Sequence, residues 1–448
     1  MRIAMIGTGY VGLVSGVCFS EFGFDVTCVD IDADKIARLN AKEVPIYEPG
    51  LDALIERNLA AGRLAFTTAF DEAVAAADVV FVAVGTPSRR GDGEADLTYV
   101  YEAARQIARV MREGTVVVIK STVVVGTCRK VAEILRAERP GVDFSVASNP
   151  EFLREGSAIE DFMRPDRVVV GAEDERAEAT LRRLYQPLYL RETPILVSTL
   201  ENAELTKYAA NAFLALKITF INEIADLCEK VGADVQKVAS GIGLDNRIGG
   251  KFLHAGPGYG GSCFPKDTSA LAATGQRHGA PLRLVETTIA VNEARKRDMA
   301  ERVLAALGPD PEGKSVGIFG IAFKPNTDDV RDAPSLVIVP ALQARGVRVV
   351  LHDPEARAQA EPLLPGAEWR DNPYDVADGI DVLAVVTEWN LYRGLSLTQI
   401  AGRMQGNTVI DMRNIWREED VARAGLVYRG IGKGAASKRS DPLQTVSN

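Results

Sequence analysis

At 448 residues the chain is long enough for roughly three domains of about 150 residues, each with its own core. Apolar residues make up 46% and charged residues 25%, the balance of a globular protein, which excludes a disordered chain. The formal charge is -9, so no surplus of cations is available to cover a phosphate backbone or an anionic lipid surface, and we expect neither a nucleic acid nor a membrane as partner.

The apolar runs, the cysteines and the histidines narrow the class further. The apolar stretches at 79–84 and 116–125 are far shorter than the ~20 residues of a membrane-spanning helix or are interrupted by Lys120. The five cysteines form an odd set without a CxxC pair, which favours a reducing compartment, and we expect a cytoplasmic protein. The three histidines lack metal-ligand spacing, so we predict no metal site.

The first 200 residues alternate between buried-strand runs and amphipathic helical patterns. The strand-like runs are 2–6, 26–29, 79–84, 116–119 and 144–147. Helical patterns lie between them at 11–22, 33–40, 50–61, 71–76, 97–112 and 127–138. Strands that alternate with helices in this way predict a doubly wound parallel sheet.

A different pattern begins near residue 200. Residues 201–231 read as one helix without proline or interior glycine, roughly 45 Å long at ~1.5 Å per residue. A helix of that length usually links domains or subunits, so we expect a homodimer or higher oligomer built on it. Further helical patterns fill 266–274 and 281–306, and the turn-rich stretch 308–314 is the best linker candidate.

The strand and helix alternation then resumes, with strands at 316–319, 347–351, 382–386 and 408–410 and a helix at 333–345. The predicted fold class is therefore α/β, with two Rossmann-like doubly wound parallel-sheet domains joined by a helical domain built on one long helix. We expect domains at 1–200, 201–307 and 315–434. The segment 435–448 lacks apolar residues to bury and is expected to be a disordered tail.

A nucleotide-binding fingerprint follows the first strand. Gly7, Gly9 and Gly12, with Tyr10 and Val11 between them, match G-x-G-x-x-G at a strand-to-helix turn. Asp30 follows the second strand, where a carboxylate accepts hydrogen bonds from ribose hydroxyls and repels a 2′-phosphate, which favours NAD over NADP. The alternative is a glycine-rich turn without a ligand and a surface acid at position 30.

Three further side chains are candidate cofactor contacts. Lys35 could reach the adenosine end, although a solvated helix lysine is nearly as good an interpretation. Thr86 and Thr122 follow the strands at 79–84 and 116–119, and ligands of open α/β sheets bind at such carboxyl ends.

Cys263 differs from the other four cysteines, whose surroundings favour inert packing. It follows a glycine-rich loop at 256–262 and precedes Phe-Pro-Lys-Asp, so the thiol lies at a loop-to-helix junction. The helix N-terminus and Lys266 would both favour the thiolate. The sequence thus places a candidate nucleophile where small neighbours allow a substrate to approach.

Several segments resemble the UDP-glucose 6-dehydrogenase family within the wider group of nucleotide-sugar dehydrogenases. The resemblance runs in family order from the first strand to about residue 413. The segments are GTGYVGLVSG (7–16), EPGL (48–51), VGTP (84–87), STVVVGT (121–127), NPEFLREG (149–156), NAELTKYAANAFLALKITFINE (202–223), DNRIGGKFLHAGPGYGGSCFPKD (245–267) and FKPNTDDVRDAPS (323–335).

The resemblance implies NAD-dependent, four-electron oxidation of UDP-glucose at C6 through a thiohemiacetal and a thioester on Cys263. Lys207 and Asn211, one helical turn apart, would stabilise the developing alkoxide, although Glu204 could instead pair with Lys207 as in an ordinary helix salt bridge. Glu155 would activate the hydrolytic water, with Thr122, and Asp267 would orient a second water or Lys207.

The resemblance also implies a set of binding residues. Lys266, Arg331 and Glu155 would contact the cofactor, and Arg247 would reach the sugar nucleotide of a neighbouring subunit. The alternative is an ordinary surface cation at each of the positions Lys266, Arg331, Arg247, Lys324 and Arg413. The implied substrate contacts are Glu151, Phe152, Leu153, Arg154, Glu155, Lys207, Asn211, Arg247, Phe252, Leu253, His254, Ala255, Gly256, Gly260, Lys324 and Arg413.

Two alternatives remain at this point. The same chemistry could act on GDP-mannose or a UDP-N-acetylhexosamine, because those relatives share the thiol and differ in their base and sugar pockets. A non-catalytic sensor of nucleotide sugars could use the same fold, although a sensor would usually have lost part of the set Cys263, Lys207, Asn211 and Asp267.

Overall fold

The computed structural model describes residues 1–87, 89 and 93–434, and the predicted tail at 435–448 lies outside them. The chain divides into two compact units. The first contains Met1–Ala210 and Ser269–Pro281, and the second contains Asn211–Thr268 and the chain from Leu282 onward.

The first unit is built on an eight-stranded sheet of order β3-β2-β1-β4-β5-β6-β7-β8. All neighbouring pairs are parallel except β6 and β7, which run antiparallel. The strands are β1 (Arg2–Ile6), β2 (Asp25–Val29), β3 (Leu64–Thr67), β4 (Val79–Val82), β5 (Thr115–Ile119), β6 (Phe144–Ser148), β7 (Val168–Ala172) and β8 (Ile195–Ser198). The helices are α1 (Tyr10–Glu21), α2 (Ala33–Asn40), α3 (Leu51–Ala60), α4 (Phe70–Ala76), α5 (Thr98–Val110), α6 (Thr127–Glu138), α7 (Ala158–Met163) and α8 (Glu175–Leu184), followed by a 3₁₀ helix at Gln186–Arg191.

Helices cover both faces of this sheet, which explains why its central strands read as unbroken apolar runs. In β1, Ile3 and Met5 belong to one buried cluster and Ala4 and Ile6 to another. The chain crosses over between β1 and β4, so the loops after these two strands open a crevice at the carboxyl edge of the sheet.

Helices form the start of the second unit. The 32-residue helix α9 (Leu200–Val231) begins in the first unit and continues into the second, in agreement with the predicted single long helix. It is followed by α10 (Val235–Gly243), α11 (Phe264–Arg277) and α12 (Arg283–Leu307). Residues 308–314 connect α12 to the next strand.

The remainder of the second unit repeats the strand order of the first, as β11-β10-β9-β12-β13-β14, with every neighbouring pair parallel. The strands are β9 (Ser315–Phe319), β10 (Arg348–His352), β11 (Glu368–Trp369), β12 (Val382–Val385), β13 (Thr408–Asp411) and β14 (Val427–Gly430). The helices are α13 (Ser335–Gln343), α14 (Arg357–Ala360), α15 (Asn390–Arg393), α16 (Leu397–Arg403) and α17 (Glu418–Arg423), with 3₁₀ helices at Glu361–Leu363 and Pro373–Ala377.

The predicted fold class is confirmed: two doubly wound α/β sheets with a long helix between them in the sequence. The strands that the sequence pattern did not reveal include β3, β7, β8 and β14. The runs of β3, β8 and β14 have only four residues each, whereas β7 (VVVGA) is a buried apolar run of five residues that the sequence analysis did not assign. The division into three domains stays a prediction.

Candidate functional site

The glycine turn after β1 has the geometry of a dinucleotide site. Gly7 has φ +98°, and an added Cβ would lie 2.7 Å from the carbonyl oxygen of Ala83. An added Cβ at Gly12 would lie 2.0 Å from the carbonyl oxygen of Gly7. At Gly9 a Cβ would meet nothing within 4 Å, so the N-terminus of α1 is open there. The first and third glycines are needed for packing, and the second leaves room for a phosphate group.

Asp30 lies at the end of β2 and contacts this turn. Its Oδ2 atom accepts hydrogen bonds from the backbone N–H (2.8 Å) and the hydroxyl (2.6 Å) of Thr8, and Lys35 Nζ is 3.2 Å away. Burial raises the pKa of Asp30, but the hydrogen bonds from Thr8 and Asp32 and the charge of Lys35 outweigh it, so the pKa is lowered. The carboxylate is therefore ionised at neutral pH, as a ribose acceptor must be.

Hydroxyl groups line the carboxyl ends of β4 and β5. The Thr86 hydroxyl donates to the carbonyl oxygen of Thr122 at 2.9 Å, and the Ser121 hydroxyl donates to that of Val84 at 2.7 Å. These bonds join the loops that follow β4 and β5. Thr86 and Thr122 thus lie where the fold expects a cofactor, and their contacts with it stay a prediction.

A buried carboxylate that the sequence analysis gave no role, Glu48, ties the glycine turn to the NPEFLREG segment. Tyr10 donates its hydroxyl proton to Glu48, and Glu48 also accepts from the N–H groups of Gly156 (2.7 Å) and Ala158 (2.8 Å). Burial, followed by the hydrogen bond and charge of Glu48, raises the pKa of Tyr10. Tyr10 is therefore a structural link, while Val11 is half-buried beside it at the start of α1.

Lys207 and Glu151 form a buried ion pair at 3.0 Å. Glu151 also accepts from the N–H of Leu153 at 2.5 Å. Burial raises the pKa of Glu151, but Lys207, this N–H and Lys120 lower it by more, so the pKa is lowered. The Lys207 ammonium lies 5.3 Å from the centre of the Phe152 ring. A buried lysine fixed by a carboxylate next to an aromatic ring is suited to stabilising negative charge.

The sequence suggests Glu204 as a salt-bridge partner of Lys207, but in the structure Glu204 binds the N-terminus of α6. Its two carboxylate oxygens accept from the N–H groups of Gly126 and Cys128, both at 2.7 Å, and thereby cap α6. In the same unit, Arg154 is exposed and paired with Asp161 at 2.6 Å, and Glu155 is half-buried near Tyr10.

The Cys263 thiol lies immediately before α11 in the second unit. It is partly exposed, whereas the other four cysteines are buried, and Ser262 Oγ lies 3.5 Å from its sulfur. The carbonyl oxygen of Cys263 accepts from the N–H of Asp267 at 2.9 Å, so the residue starts the first turn of the helix. This is the accessible position at a helix N-terminus that the sequence predicts for a nucleophile.

Asp267 organises the polar groups of this turn. Its buried carboxylate accepts from the Asn211 side-chain amide at 2.6 Å and pairs with the Lys266 ammonium at 2.6 Å. Asn211 can direct its second N–H elsewhere while the first is held. The structure therefore joins Asn211, Lys266 and Asp267 in one cluster, and their catalytic or binding roles stay predictions.

Three buried side chains, all missed by the sequence analysis, hold the glycine-rich loop by its backbone. Asn222 accepts from the N–H of Gly256 at 2.8 Å, and Arg295 donates to the carbonyl oxygen of Gly256 at 2.8 Å. Asn292 accepts from the N–H of Tyr259 at 2.8 Å and donates to its carbonyl oxygen at 3.1 Å. The loop that leads to Cys263 is thus fixed by α9 and α12.

The FKPNTDDVRDAPS segment packs on the same loop. A Cβ added at Gly260 would lie 2.4 Å from the carbonyl oxygen of Asp332, and a Cβ added at Gly261 would lie 2.7 Å from the Phe323 ring. Asp329 accepts from the N–H of Ser262 at 3.2 Å and holds the Arg331 guanidinium at 2.8 Å. Lys324 is half-buried, with its ammonium 5.4 Å from the Phe323 ring centre.

A cavity of about 430 Å³ lies beside α10. Leu253, His254, Ala255 and Arg413, four of the sixteen predicted substrate contacts, line it. The Arg413 side chain donates to the carbonyl oxygen of Val386 at 2.8 Å, and its guanidinium lies against Gly256, where an added Cβ would be 2.9 Å from Nη1. The lining residues are Val235, Gln236, Ala239, Ser240, Gly243, Leu244, Gly250, Leu253, His254, Ala255, Arg413 and Asn414.

Phe252 and Arg247 are among the twelve predicted substrate residues that do not line this cavity. Phe252 has φ +66°, a left-handed conformation, and its ring contacts that of Phe264 at 6.1 Å between centres. Arg247 is exposed and paired with Asp245 at 2.5 Å. In the described part of the chain no three His, Cys, Asp or Glu side chains are grouped so as to hold a metal ion, and no helix is both long and apolar enough to cross a bilayer.

The open glycine turn and the ionised acid after the second strand define a dinucleotide-binding site, and together with the accessible thiol they indicate a dehydrogenase of the doubly wound α/β class. Comparison with known proteins is more specific. The chain matches the UDP-glucose/GDP-mannose dehydrogenase family in its NAD binding domain (residues 1–189), central domain (201–294) and UDP binding domain (317–418).

Relatives match along nearly the whole chain. A UDP-glucose 6-dehydrogenase of Rhizobium meliloti (strain 1021) is 57% identical over 97% of this chain and 100% of its own length. The Bacillus subtilis (strain 168) UDP-glucose 6-dehydrogenase TuaD is 46% identical over 97% and 94%. A solved UDP-glucose dehydrogenase from Pyrobaculum islandicum superimposes with a TM-score of 0.89, at 42% identity over 97% of this chain and 98% of that one. The chain belongs to the UDP-glucose/GDP-mannose dehydrogenase family, and it is an NAD-dependent dehydrogenase.

Proposed function

We propose that this protein oxidises the C6 hydroxymethyl group of UDP-glucose to a carboxylate, with two NAD per turnover. The names of the most similar relatives support UDP-glucose as substrate. The observation that carries the two-step oxidation is the accessible thiol of Cys263 at the start of α11, next to the buried Asp267 cluster. A thiol at such a position can retain an aldehyde between two oxidations.

The first oxidation removes a proton from the C6 hydroxyl and a hydride from C6, and NAD, when bound, accepts the hydride in this step and in the next. Lys207 and Asn211 are assigned to stabilising the negative charge that develops on the sugar oxygen. Glu151 fixes the ammonium of Lys207, and Asp267 fixes the amide of Asn211. Neither side chain then has to reorganise as the charge appears.

The second oxidation takes place on sulfur. The Cys263 thiolate adds to the aldehyde carbon and the carbonyl oxygen takes up a proton, which gives a thiohemiacetal. Loss of a hydride and of the hydroxyl proton converts it to a thioester, and water then cleaves the carbon–sulfur bond to release the carboxylate and the free thiol. We assign activation of this water to Glu155 with Thr122.

The cavity beside α10 is the proposed site of the UDP group. It combines apolar lining from Val235, Leu244 and Leu253 with the Arg413 guanidinium. An apolar wall and a forked cation suit a base and a diphosphate, respectively. Lys324 and Gly260 remain proposed contacts of the same nucleotide, and Lys266 and Arg331 of the cofactor.

We also propose that the protein is a homodimer through α9. Phe213, Phe220 and Leu227 are 63%, 47% and 55% exposed and follow one another at intervals of seven residues, so they lie on one side of the helix. A row of large apolar side chains at this spacing matches a second copy of itself across a two-fold axis. A cytoplasmic location, which fits five cysteines that form no disulfide in the described part of the chain, is part of the same proposal.

The test is a substrate profile of the purified protein with NAD. We expect two NADH for each UDP-glucose consumed and UDP-glucuronate as product. Reduction with GDP-mannose or a UDP-N-acetylhexosamine alone would assign a different sugar, and one NADH per UDP-glucose would contradict the second oxidation. Binding of sugar nucleotides without reduction of NAD would identify a sensor.

A further inference from the structure

A lysine that no motif singled out lies buried at the end of β5. Lys120 is 2% exposed. Its ammonium donates to the backbone carbonyl (3.4 Å) and the side-chain oxygen (3.2 Å) of Asn149 and to the Tyr185 hydroxyl (3.4 Å). These three acceptors match the three N–H groups of the ammonium, and all of them are neutral. A buried cation held only by neutral groups is costly unless a carboxylate is close by.

The carboxylate whose charge favours the Lys120 ammonium is that of Glu151. Strands β5 and β6 pair with Ile119 opposite Ser148, so Lys120 and Asn149 follow the two paired strand ends, and Glu151 comes two residues later. Two lysines therefore act on Glu151: Lys207, which pairs with it directly at 3.0 Å, and Lys120, which acts through space and has the smaller effect.

The charges around Lys120 support this arrangement. Burial lowers the pKa of Lys120 to about 8, with Lys207 lowering it and Glu151 and the Cys18 thiol of α1 raising it. Tyr185 lies between α8 and the 3₁₀ helix, and its hydroxyl donates to the side-chain oxygen of Asn149 at 2.6 Å. Burial raises the pKa of Tyr185. The Lys120 charge therefore attracts the Glu151 carboxylate and repels the Lys207 ammonium, whereas burial keeps the Tyr185 hydroxyl and the Cys18 thiol neutral.

We propose that Lys120 is a positioning residue for the oxidation: its charge, held in place by Asn149 and Tyr185, adds to the direct pair with Lys207 in keeping Glu151 ionised and thereby helps to fix the Lys207 ammonium. This inference rests on the proposed function, in which Lys207 stabilises the alkoxide. Without the Lys120 charge, Glu151 takes up a proton more readily and binds Lys207 less firmly.

A double-mutant cycle tests whether Lys120 acts through Glu151. Lys120→Gln removes the charge and keeps a hydrogen-bond donor, and Glu151→Gln removes the carboxylate. We expect Lys120→Gln to lower kcat about tenfold, or ~1.4 kcal/mol in barrier, with little change in the KM for UDP-glucose or NAD. In the Glu151→Gln background the same substitution should lower kcat no further. An equal loss in both backgrounds, or an unchanged kcat in the single variant, would overturn the proposal.

Three further variants separate charge from packing. Tyr185→Phe removes one of the three acceptors of Lys120 but leaves the charge, so kcat should fall less than in Lys120→Gln. Lys120→Arg should restore most of the kcat lost in Lys120→Gln. If Lys120→Gln does not fold, Asn149→Asp neutralises the same charge and should show the same dependence on Glu151. A wild-type protein that reduces no NAD with any sugar nucleotide would overturn the proposed function and this inference together, whereas additive losses overturn the inference alone.

Discussion

Asp353 follows the second strand of its sheet just as Asp30 follows the second strand of the other, but only Asp30 keeps room for a ligand. The Asp353 carboxylate accepts from the N–H groups of Ile321, Ala322, Glu355 and Ala356 and from the indole of Trp389. Its two oxygens are thereby saturated. In Asp30 the Oδ1 atom accepts only the N–H of Asp32, at 3.1 Å. The repeated strand order therefore gives two similar sheets, and of these two acids Asp30 is the one that keeps unused hydrogen-bond accepting capacity among the described residues.

Asp30→Ala should weaken NAD binding, because the ribose hydroxyls lose a charged acceptor. A hydrogen bond to a charged group contributes about 1.5–3 kcal/mol, so we expect the KM for NAD to rise about tenfold or more. Use of NADP should improve relative to NAD once the negative charge is gone. Asp34→Ala, at an exposed position in the first turn of α2, is the matched control. An unchanged KM in Asp30→Ala would remove Asp30 from the cofactor site.

Cys263→Ser should lower the steady-state rate about a thousandfold or more, because a hydroxyl is a far weaker nucleophile than a thiolate at neutral pH. Rapid mixing of the wild-type protein with UDP-glucose and NAD, followed by acid quench and mass spectrometry, should find the peptide with Cys263 carrying the glucuronyl thioester. Cys228→Ala, at a buried thiol of α9, should keep its activity. Wild-type output of UDP-glucuronate from Cys263→Ser would contradict the proposed mechanism.

Phe220→Glu should convert the dimer to a monomer, because it places a carboxylate in the middle of the exposed apolar row of α9. Sedimentation velocity at micromolar concentration would measure the change in mass. Leu196→Glu is the matched control, since Leu196 is 54% exposed on the edge strand β8 of the first unit. A wild-type chain that sediments as a monomer, or a Phe220→Glu chain that stays dimeric, would show that this row is not the interface.

Stability should fall as the pH drops below about 6.5, the usual pKa of histidine. Burial lowers the pKa of His352, more than the charges of Asp353 and Asp371 raise it, and its Nδ1 lies 2.8 Å from the Tyr392 hydroxyl. The unfolded chain takes up a proton at a pH where the folded chain does not, so acidification favours unfolding.

Urea unfolding at pH 7.5 and pH 5.5 measures this contribution. The loss of stability between the two values should be smaller in His352→Asn, which keeps a polar group near Tyr392 but does not titrate. His278→Asn, at an exposed histidine, should retain the full wild-type loss. Equal losses in wild type and His352→Asn would show that other groups cause the pH dependence.

Much of the fold and part of the candidate site can be predicted from local sequence patterns. The apolar runs of β1, β4 and β5 reveal buried strands because both faces of the sheet are covered. Gly7, Gly9 and Gly12 reveal their turn because they lie within six residues of one another at a strand-to-helix junction, where Gly7 has a positive φ and an added Cβ at Gly12 would meet the carbonyl oxygen of Gly7. Cys263 could be singled out from local sequence as well, because the residues next to it predict the start of a helix.

Contacts between distant segments leave no such pattern. Glu48 binds the N–H of Gly156, 108 residues away, and Asp329 binds that of Ser262, 67 residues away. Lys207 shows the same limit, because spacing along the helix offers Glu204 while the folded chain supplies Glu151. Tertiary packing determines these hydrogen-bond and ion-pair partners, so they become visible only in the folded structure.

The backbone of the glycine-rich loop is fixed by hydrogen bonds with Asn222, Asn292 and Arg295. These bonds have an energetic consequence. The loop loses its conformational freedom when the chain folds rather than when a substrate arrives. Affinity for a sugar nucleotide is then not diminished by ordering this segment at each catalytic cycle. Glycines are usually the most flexible residues of a chain, but in this loop they form a fixed segment next to Cys263.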